Sequence, residues 1–324
     1  MSEYCPLEWI DDFENMSQWF SFNKLNEIID NTHWVLELLG DNAQSQPQIS
    51  SMKNKIFYLD VEFFLAANNT LKSILSCCRL GNFSDANVLT RKYRDDLFQY
   101  LFIIFAIKKI QVLKNENEVD LTNEMIKCID NLDSERVLVI LESINQREKK
   151  RERSKLENGI DAWFENKLEE NSNLKEFFST QKYKSILCEN ILVKECFHLY
   201  LDEVWSDLSK RLNNYTHGNG KNYIFDNAYH CKKNSDIQKK LDGIGINVWQ
   251  ITASFLSVLI LLNPNYIMSS DLLDHLDMGL TPPEDAQYLV APIFQDYMDT
   301  YITKINPELK DYLRDNNPYG MKIK

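Results

Sequence analysis

The placement of glycine and proline constrains this chain more than any other feature of its sequence. No proline occurs between Pro47 and Pro264, and no glycine occurs between Gly81 and Gly159 or between Gly159 and Gly218. Proline interrupts helices and glycine weakens them. Strands would need turns every ten residues or so, and turns usually need these two residues. The sequence therefore predicts long helices and an all-α fold.

The composition is that of a folded protein with reduced thiols. Apolar residues make up 44% of the 324 residues, which is enough for a substantial core. The net charge of −12 disfavours indiscriminate binding to DNA or to anionic membranes, but it leaves room for a local basic site. The seven cysteines are odd in number and form no CxxC pair. We therefore expect free thiols and a cytoplasmic protein.

Helical periodicity divides the chain into an extension, a bundle and a tail. Residues 1–51 are expected to hold short helices that end in a polar loop from Gly40 to Ser51. Residues 52–262 are expected to form a four-helix bundle with a charged helical insertion at about 116–184, followed by a helical tail at 263–324. Separate N-terminal and C-terminal domains are the alternative.

Four long helices are predicted for the bundle. They cover about Met52–Leu80, Ser84–Lys114, Ser185–Asn214 and Ser235–Leu262. In the last helix, apolar residues follow one another at spacings of four and three, which predicts a lengthwise packing seam in a bundle or a dimer. The stretch from Ile244 to Leu262 is the most membrane-like of the chain, but it contains five polar side chains. We expect a buried helix there and not a membrane span.

The first candidate for chemistry lies at the end of the third predicted helix. Arg211 continues the apolar stripe of that helix, where an unpaired charge is costly, so it must be paired or serve a site. His217 follows after five intervening residues, beside Gly218. A histidine can exchange protons with the ribose 2′-hydroxyl or the leaving oxygen, and an arginine can bind the phosphate. The pair suits metal-independent RNA cleavage; the alternative is an ordinary helix end with a capping histidine.

The second candidate lies on the second predicted helix. Arg91 and Asp95 are one helical turn apart on a stripe that is otherwise apolar, so they are expected to form an ion pair. The functional interpretation is a polar group that faces a cleft in the bundle. The structural interpretation is an ion pair at the edge of the core.

Together the two segments resemble an uncharacterised bacterial branch of the HEPN superfamily. Arg91-x-x-x-Asp95 is similar to the Arg-x-x-x-acid motif of its central helix. The run from Asn213 to Gly218 is similar to the Ser/Asn-x-x-x-His-Gly-like ending of its later helix. Arg211 and His217 fit the Arg-x(4–6)-His pattern of the superfamily. The resemblance covers about half of the chain, mostly through helix order.

The resemblance implies a HEPN-like helical bundle that dimerises and brings two Arg/His motifs into one cleft. It implies a metal-independent endoribonuclease of a bacterial defence or toxin system, with His217 as acid/base and Arg211 on the scissile phosphate. The residues expected to support the site are Arg91, Asp95, Asn213, Asn214 and Tyr215. The implied partners are a second copy, RNA, and an antitoxin or defence protein, with no cofactor, metal or membrane.

The alternative function is a non-catalytic helical interaction module, homodimeric or part of a defence complex. Leu212 stands where active HEPN members often carry a polar residue, and Asp95 stands where glutamate is usual. The acidic net charge and the lack of a clear basic face also favour this alternative.

A third hypothesis is a metal-dependent helical enzyme. Glu195-x-x-His198 has the spacing of a di-iron ligand pair, but the ferritin-like pattern needs a second such motif, which the sequence lacks. The basic run at 147–155 is either an RNA contact or a solvated helix face.

Overall fold

The computed structural model describes the greater part of the chain. The described residues are 20–44, 48–50, 55–57, 59–130, 154–164, 167–168, 177–216, 226–228, 231 and 234–324. The predicted all-α class is confirmed, because helices dominate these residues and the described strands form a single short hairpin. His217 and most of the basic run at 147–155 lie outside the described residues.

Twelve α-helices are described. They are α1 (Phe20–Gln44), α2 (Leu59–Arg79), α3 (Phe83–Asp130), α4 (Lys155–Phe164), α5 (Thr180–Leu187), α6 (Ile191–Cys196), α7 (Asp202–Thr216), α8 (Asn234–Leu262), α9 (Asp271–Asp277), α10 (Pro292–Tyr297), α11 (Thr303–Ile305) and α12 (Pro307–Asn316). Short 3₁₀ turns occur at Pro264–Ile267 and Ala286–Tyr288, and π-helical turns occur at Phe197–Leu201 and Met298–Ile302. Strands β1 (Gln48–Ser50) and β2 (Lys55–Phe57) pair in antiparallel fashion.

The N-terminal region differs from the expected short helices. α1 is one helix of 25 residues that passes through Gly40 and ends at Gln44. The prediction of a loop from Gly40 to Ser51 was therefore wrong at both ends. Helix α1 continues to Gln44, and β1 occupies Gln48–Ser50. A Cβ added at Gly40 would lie 3.8 Å from the Cβ of Phe64, so α1 and α2 pack closely at this position. That packing compensates for the weak helix propensity of glycine.

The core of the first compact unit, residues 1–101 and 187–324, is built around α8. Every residue from Ile251 to Leu261 is buried, and the predicted seam is buried from Ile237 to Val258. α1 packs against both α2 and α8. The seam is therefore confirmed as a packing surface, and it is buried by other parts of the same chain.

α8 also resembles a membrane-spanning helix in length and composition. It is the only such helix among those described, and 83% of its most apolar window is buried inside the protein.

Residues 102–186 form a second compact unit. Its described part contains an aromatic cluster in which Phe102 stacks on Tyr183 with ring centroids 5.1 Å apart. Phe178 meets Phe102 edge-on at 5.5 Å and is stacked with Trp163 at 6.4 Å. The predicted charged insertion at about 116–184 falls within this unit.

The π-helical turn at Phe197–Leu201 changes the face that α7 buries. A π-helical turn accommodates one more residue than an α-helical turn, so the apolar stripe advances by one position. The buried residues of this stripe are Val193, Phe197, Leu201, Trp205, Leu208 and Leu212. Leu212 is fully buried and Arg211 is exposed. The prediction that Arg211 continues the apolar stripe was therefore wrong.

Candidate functional site

Arg211 is held where α7 meets α8 by two neutral side chains. Its Nε donates to Oδ1 of Asn247 at 3.0 Å, and its Nη2 donates to Oε1 of Gln250 at 2.7 Å. The two amide oxygens orient the guanidinium, and they leave its charge in place because neither group is ionised. Partial burial lowers the pKa of Arg211, and the charge of Asp207 opposes this effect. The guanidinium remains protonated at neutral pH.

Arg211 lines a pocket of about 330 Å³. The charged side chains that line it are three cations, Arg211, Lys239 and Lys240, and one carboxylate, Asp226. The other lining residues among those described are Asn87, Asn214, Tyr215, Gly243, Ile244, Ile246 and Asn247. Three positive charges against one negative charge make the described lining cationic, in a protein whose net charge is −12.

Asp226 joins two of these residues in a polar cluster in the pocket wall. Its side chain is only 4% exposed, and it accepts a hydrogen bond of 2.6 Å from the Tyr215 hydroxyl and forms an ion pair with Lys240. Burial raises the pKa of Tyr215 and lowers the pKa of Lys240. Because Asp226 pairs with Lys240, the lining cations that form no ion pair with a carboxylate among the described residues are Arg211 and Lys239. Asp207, whose charge also acts on Arg211, is ion-paired with Lys210.

The second predicted pair belongs to a different kind of cluster. Nε of Arg91 lies 3.5 Å from Oδ2 of Asp95, so the ion pair that the spacing predicts is present. Asp95 also accepts hydrogen bonds of 2.9 and 2.7 Å from Arg94. Arg94 is only 2% exposed, donates to Ser209 at 3.3 Å, and lies 5.6 Å from the ring centre of Trp205. One carboxylate therefore serves two arginines.

Arg94 is a buried polar residue of α3 that was not predicted from the sequence. The signal was available, because Arg94 shares a helical face with Thr90, Phe98 and Leu101, all of which are fully buried. Arg91, which the sequence placed on the apolar stripe, is more exposed than Arg94.

The structure gathers some of the predicted site residues and separates others. Arg211, Asn214 and Tyr215 line the pocket together, whereas Asn213 is exposed and is not among the lining residues. Arg91 and Asp95 are not among them either, although Asn87, one turn earlier in α3, is. His217 follows Thr216, the last residue of α7, and lies outside the described residues.

Five polar residues of the pocket were not predicted from the sequence, namely Asn87, Asp226, Lys239, Lys240 and Asn247. They come from α3, from α8 and from the segment before α8, and no local spacing connects them with Arg211. Only tertiary packing brings these side chains together.

The metal hypothesis finds no support around Glu195 and His198. Both side chains are exposed, and Glu195 accepts a long hydrogen bond of 3.5 Å from the Tyr312 hydroxyl. Within the described ranges, no group of three or more histidine, cysteine, aspartate or glutamate side chains is placed to hold a metal ion.

Comparisons with protein-family models, with curated proteins and with solved structures found no match for this chain. Its function is therefore inferred from the geometry of the pocket and from the motifs that border it.

Proposed function

We propose that the Arg211 pocket binds a phosphate group of RNA, and that the protein is a HEPN-like, metal-independent endoribonuclease. The observation that carries this proposal is the guanidinium of Arg211, which two neutral amides orient and no carboxylate among the described residues binds. An arginine held in this way can offer two parallel N–H donors to phosphate oxygens.

The charge of the pocket supports the same ligand. Lys239 lines the pocket beside Arg211 and supplies a second cation for a phosphate oxygen. The surplus of positive charge is local, because the protein as a whole carries a net charge of −12. Such a pocket attracts an anion through its own residues and not through the field of the whole molecule.

The proposed reaction uses His217, the second residue after Tyr215. Its imidazole accepts the proton of the ribose 2′-hydroxyl, and the 2′-oxygen attacks the adjacent phosphorus. The bond to the 5′-oxygen breaks, and a protonated imidazole returns a proton to that oxygen. Arg211 stabilises the negative charge that develops on the non-bridging oxygens. The products are a 2′,3′-cyclic phosphate and a 5′-hydroxyl.

RNA cleavage in the presence of EDTA tests the proposal directly. Wild-type protein is expected to cleave total RNA, and His217→Ala and Arg211→Ala are expected to lose this activity. Lys210→Ala is the matched control, because Lys210 is exposed, pairs with Asp207 and does not line the pocket. Cleavage that survives in His217→Ala would refute the mechanism. Inactivity of the folded wild-type protein would favour the non-catalytic interaction module.

A second test fills the pocket and leaves its charges unchanged. Gly243 lines the pocket, and a Cβ added there would have no neighbour within 4 Å. Gly243→Leu is therefore expected to abolish RNA binding. The fold should be retained, because a glycine inside a helix is roughly 0.5–1 kcal/mol less favourable than alanine. RNA binding at wild-type affinity would place the substrate elsewhere.

A homodimer belongs to the proposal, with His217 of one copy as base and His217 of the other as acid. The seam of α8 is buried within one chain, so the dimer must form through another face. Sedimentation velocity at several concentrations tests this expectation. A monomer that cleaves RNA would contradict the proposed dimer but not the proposed phosphate-binding pocket.

The proposed setting is a bacterial defence or toxin system in the cytoplasm, with an antitoxin or defence protein as partner. Expression of the wild-type protein is then expected to arrest growth of a bacterial host, whereas His217→Ala should be tolerated. Equal toxicity of the two proteins would separate any growth effect from RNA cleavage.

A further inference from the structure

The segment from Ser269 to Val290 presents an apolar surface that is separate from the Arg211 pocket. α9 contains no buried residue at all. Twelve large apolar side chains are exposed among the described residues, and five of them lie within this one segment. We call these five residues the α9 surface: Leu273, Leu276, Met278, Leu280 and Tyr288, with exposed fractions of 41, 54, 74, 55 and 37%. Clustering of this kind marks an interaction site more often than scattered exposed apolar residues do.

The surroundings of the α9 surface are acidic. The segment contains five carboxylates and neither lysine nor arginine. Asp285 is paired with Lys322, and Asp271 accepts a hydrogen bond from Ser269. Asp274, Asp277 and Glu284 have no ion-pair partner in the described part of the chain. A partner that covers the apolar side chains would therefore meet a net negative rim.

The segment is anchored at both ends and reverses direction within itself. The backbone N–H of Ser269 donates to the Leu289 carbonyl at 2.7 Å, and that of Lys322 donates to the Tyr288 carbonyl at 2.8 Å. Gly279 has a φ of +67° after α9, and Leu280 then donates to the His275 carbonyl at 2.8 Å. The positive φ favours glycine at this turn. Backbone hydrogen bonds thus fix the conformation of the α9 surface in the unbound protein.

We propose that the α9 surface docks a partner protein through an amphipathic helix whose apolar face is flanked by lysine or arginine. The apolar side chains would supply the buried contact, and Asp274, Asp277 and Glu284, which have no ion-pair partner in the described ranges, would select a basic rim. A second copy of the chain would bring the same carboxylates against one another in a symmetric contact, which is unfavourable. An anionic lipid surface would meet the same repulsion. Charge complementarity therefore assigns the surface to a basic partner.

A labelled peptide provides the test on the full-length protein. The probe is a fluorescein-labelled 14-residue peptide of leucine and lysine whose sequence gives one apolar helical face. Two control peptides carry glutamate in place of lysine, or the same composition in scrambled order. Fluorescence anisotropy is expected to show saturable binding of the amphipathic basic peptide and at least about tenfold weaker binding of both controls.

Two double variants locate the binding. Leu276→Ser with Met278→Ser removes apolar surface, and Asp274→Lys with Asp277→Lys inverts the rim. All four side chains are exposed, so folding should be preserved. Each double variant is expected to weaken peptide binding by about tenfold or more. The matched control changes the net charge equally on two other exposed helix positions, Glu62→Lys with Glu203→Lys, and should leave binding within about twofold.

Three outcomes would overturn the proposal. Equal weakening by the control charge variant would mean general attraction to an acidic protein. Concentration-dependent dimerisation that Leu276→Ser with Met278→Ser abolishes would assign the surface to a second copy. Binding to phosphatidylcholine vesicles that is lost in the same variant would assign it to lipid. None of these outcomes depends on RNA cleavage, so the α9 surface and the Arg211 pocket can fail independently.

Discussion

Arg94 and Arg211 each connect two helices, but their hydrogen-bond partners differ in charge. Arg94 connects α3 with α7, and Arg211 connects α7 with α8. Arg94 donates two hydrogen bonds to the carboxylate of Asp95, and its guanidinium lies against Trp205. Arg211 donates to the amides of Asn247 and Gln250. Asp95 gives the guanidinium of Arg94 an anionic partner, which permits its burial in the core. The amides leave the charge of Arg211 available at the pocket, which is what anion binding requires.

This contrast separates an arginine with a structural role from the arginine that we propose binds phosphate. Arg94 is almost fully buried, and its removal would leave apolar contacts unfilled and part of the Asp95 carboxylate unpaired. Arg211 is exposed, and its removal would expose two amides that water can solvate. The two regions should therefore respond in opposite ways when stability and activity are measured side by side.

The largest expected effect is on stability at the buried arginine. Arg94→Ala is expected to lower the free energy of unfolding by about 3 kcal/mol, because it removes a large buried side chain, its ion pair with the partly exposed Asp95 and its contact with Trp205. Urea denaturation measures this change. Lys92→Ala on the same helix is the matched control, since its exposed pair with Asp96 should contribute less than about 1 kcal/mol. Similar losses of unfolding free energy in both variants would contradict the structural role assigned to Arg94.

The next effect is on activity at the exposed arginine. Arg211→Ala is expected to lower kcat/KM for RNA cleavage about 100-fold, since it removes a donor to the charge of the transition state. The free energy of unfolding should change by less than about 1 kcal/mol. A fluorogenic RNA substrate and urea denaturation give the two values. A loss of stability as large as that of Arg94→Ala would show that the two arginines are alike.

A smaller effect comes from giving Arg211 the kind of partner that Arg94 has. Gln250→Glu replaces a neutral acceptor by a carboxylate of nearly the same shape, 2.7 Å from the guanidinium. RNA affinity is expected to fall about tenfold because the cation is then neutralised. Gln238→Glu is the control, since it adds the same charge to an exposed position of α8 outside the pocket lining. Equal affinities of the two variants would refute the argument from neutral partners.

The smallest expected effect concerns Tyr215, which donates a hydrogen bond to the pocket carboxylate Asp226. Burial holds the pKa of Tyr215 above its usual value of 10.0, so its hydroxyl keeps its proton to higher pH in the folded protein than in the unfolded chain. Its contribution to stability is therefore complete below pH 10 and is lost as the pH rises above 10.

Tyr215→Phe removes both this titration and the hydrogen bond to Asp226. The variant is expected to lose about 1 kcal/mol at neutral pH. Above pH 10 its stability should fall less steeply than that of the wild-type protein. Urea denaturation across this range measures both slopes, and parallel slopes would mean that Tyr215 does not couple to folding. In that case the hydrogen bond from Tyr215 to Asp226 would not stabilise the fold, in contrast to the hydrogen bonds from Arg94 to Asp95.

Much of the fold was predictable because its determinants are local. The spacing of apolar residues predicted the bounds of α8 to within one residue and identified its buried seam. The one-turn spacing of Arg91 and Asp95 predicted their ion pair. Helix lengths near the N-terminus were less predictable, because the contact between Gly40 and Phe64 allows α1 to continue through a residue that usually weakens helices.

The candidate site was only partly predictable. Arg211, Asn214 and Tyr215 were identified from one segment, because they share the end of one helix. Asp226, Lys239 and Asn247 were not, because they approach Arg211 only through the packing of α7 against α8. The position of Arg211 was also predicted wrongly. Arg211 was expected on the apolar stripe of its helix, but Leu212 occupies that stripe.

The sequence by itself determined the helical class, the core helix α8 and the presence of two arginine-containing polar segments. These depend on glycine and proline placement and on periodicity, which act over a few turns of chain. The tertiary structure alone decided which arginine is buried in the core and which lies at a pocket between neutral amides. That decision rests on the π-helical turn at Phe197–Leu201 and on side chains from distant segments, because the free energy of a charge depends on all the groups that surround it in space.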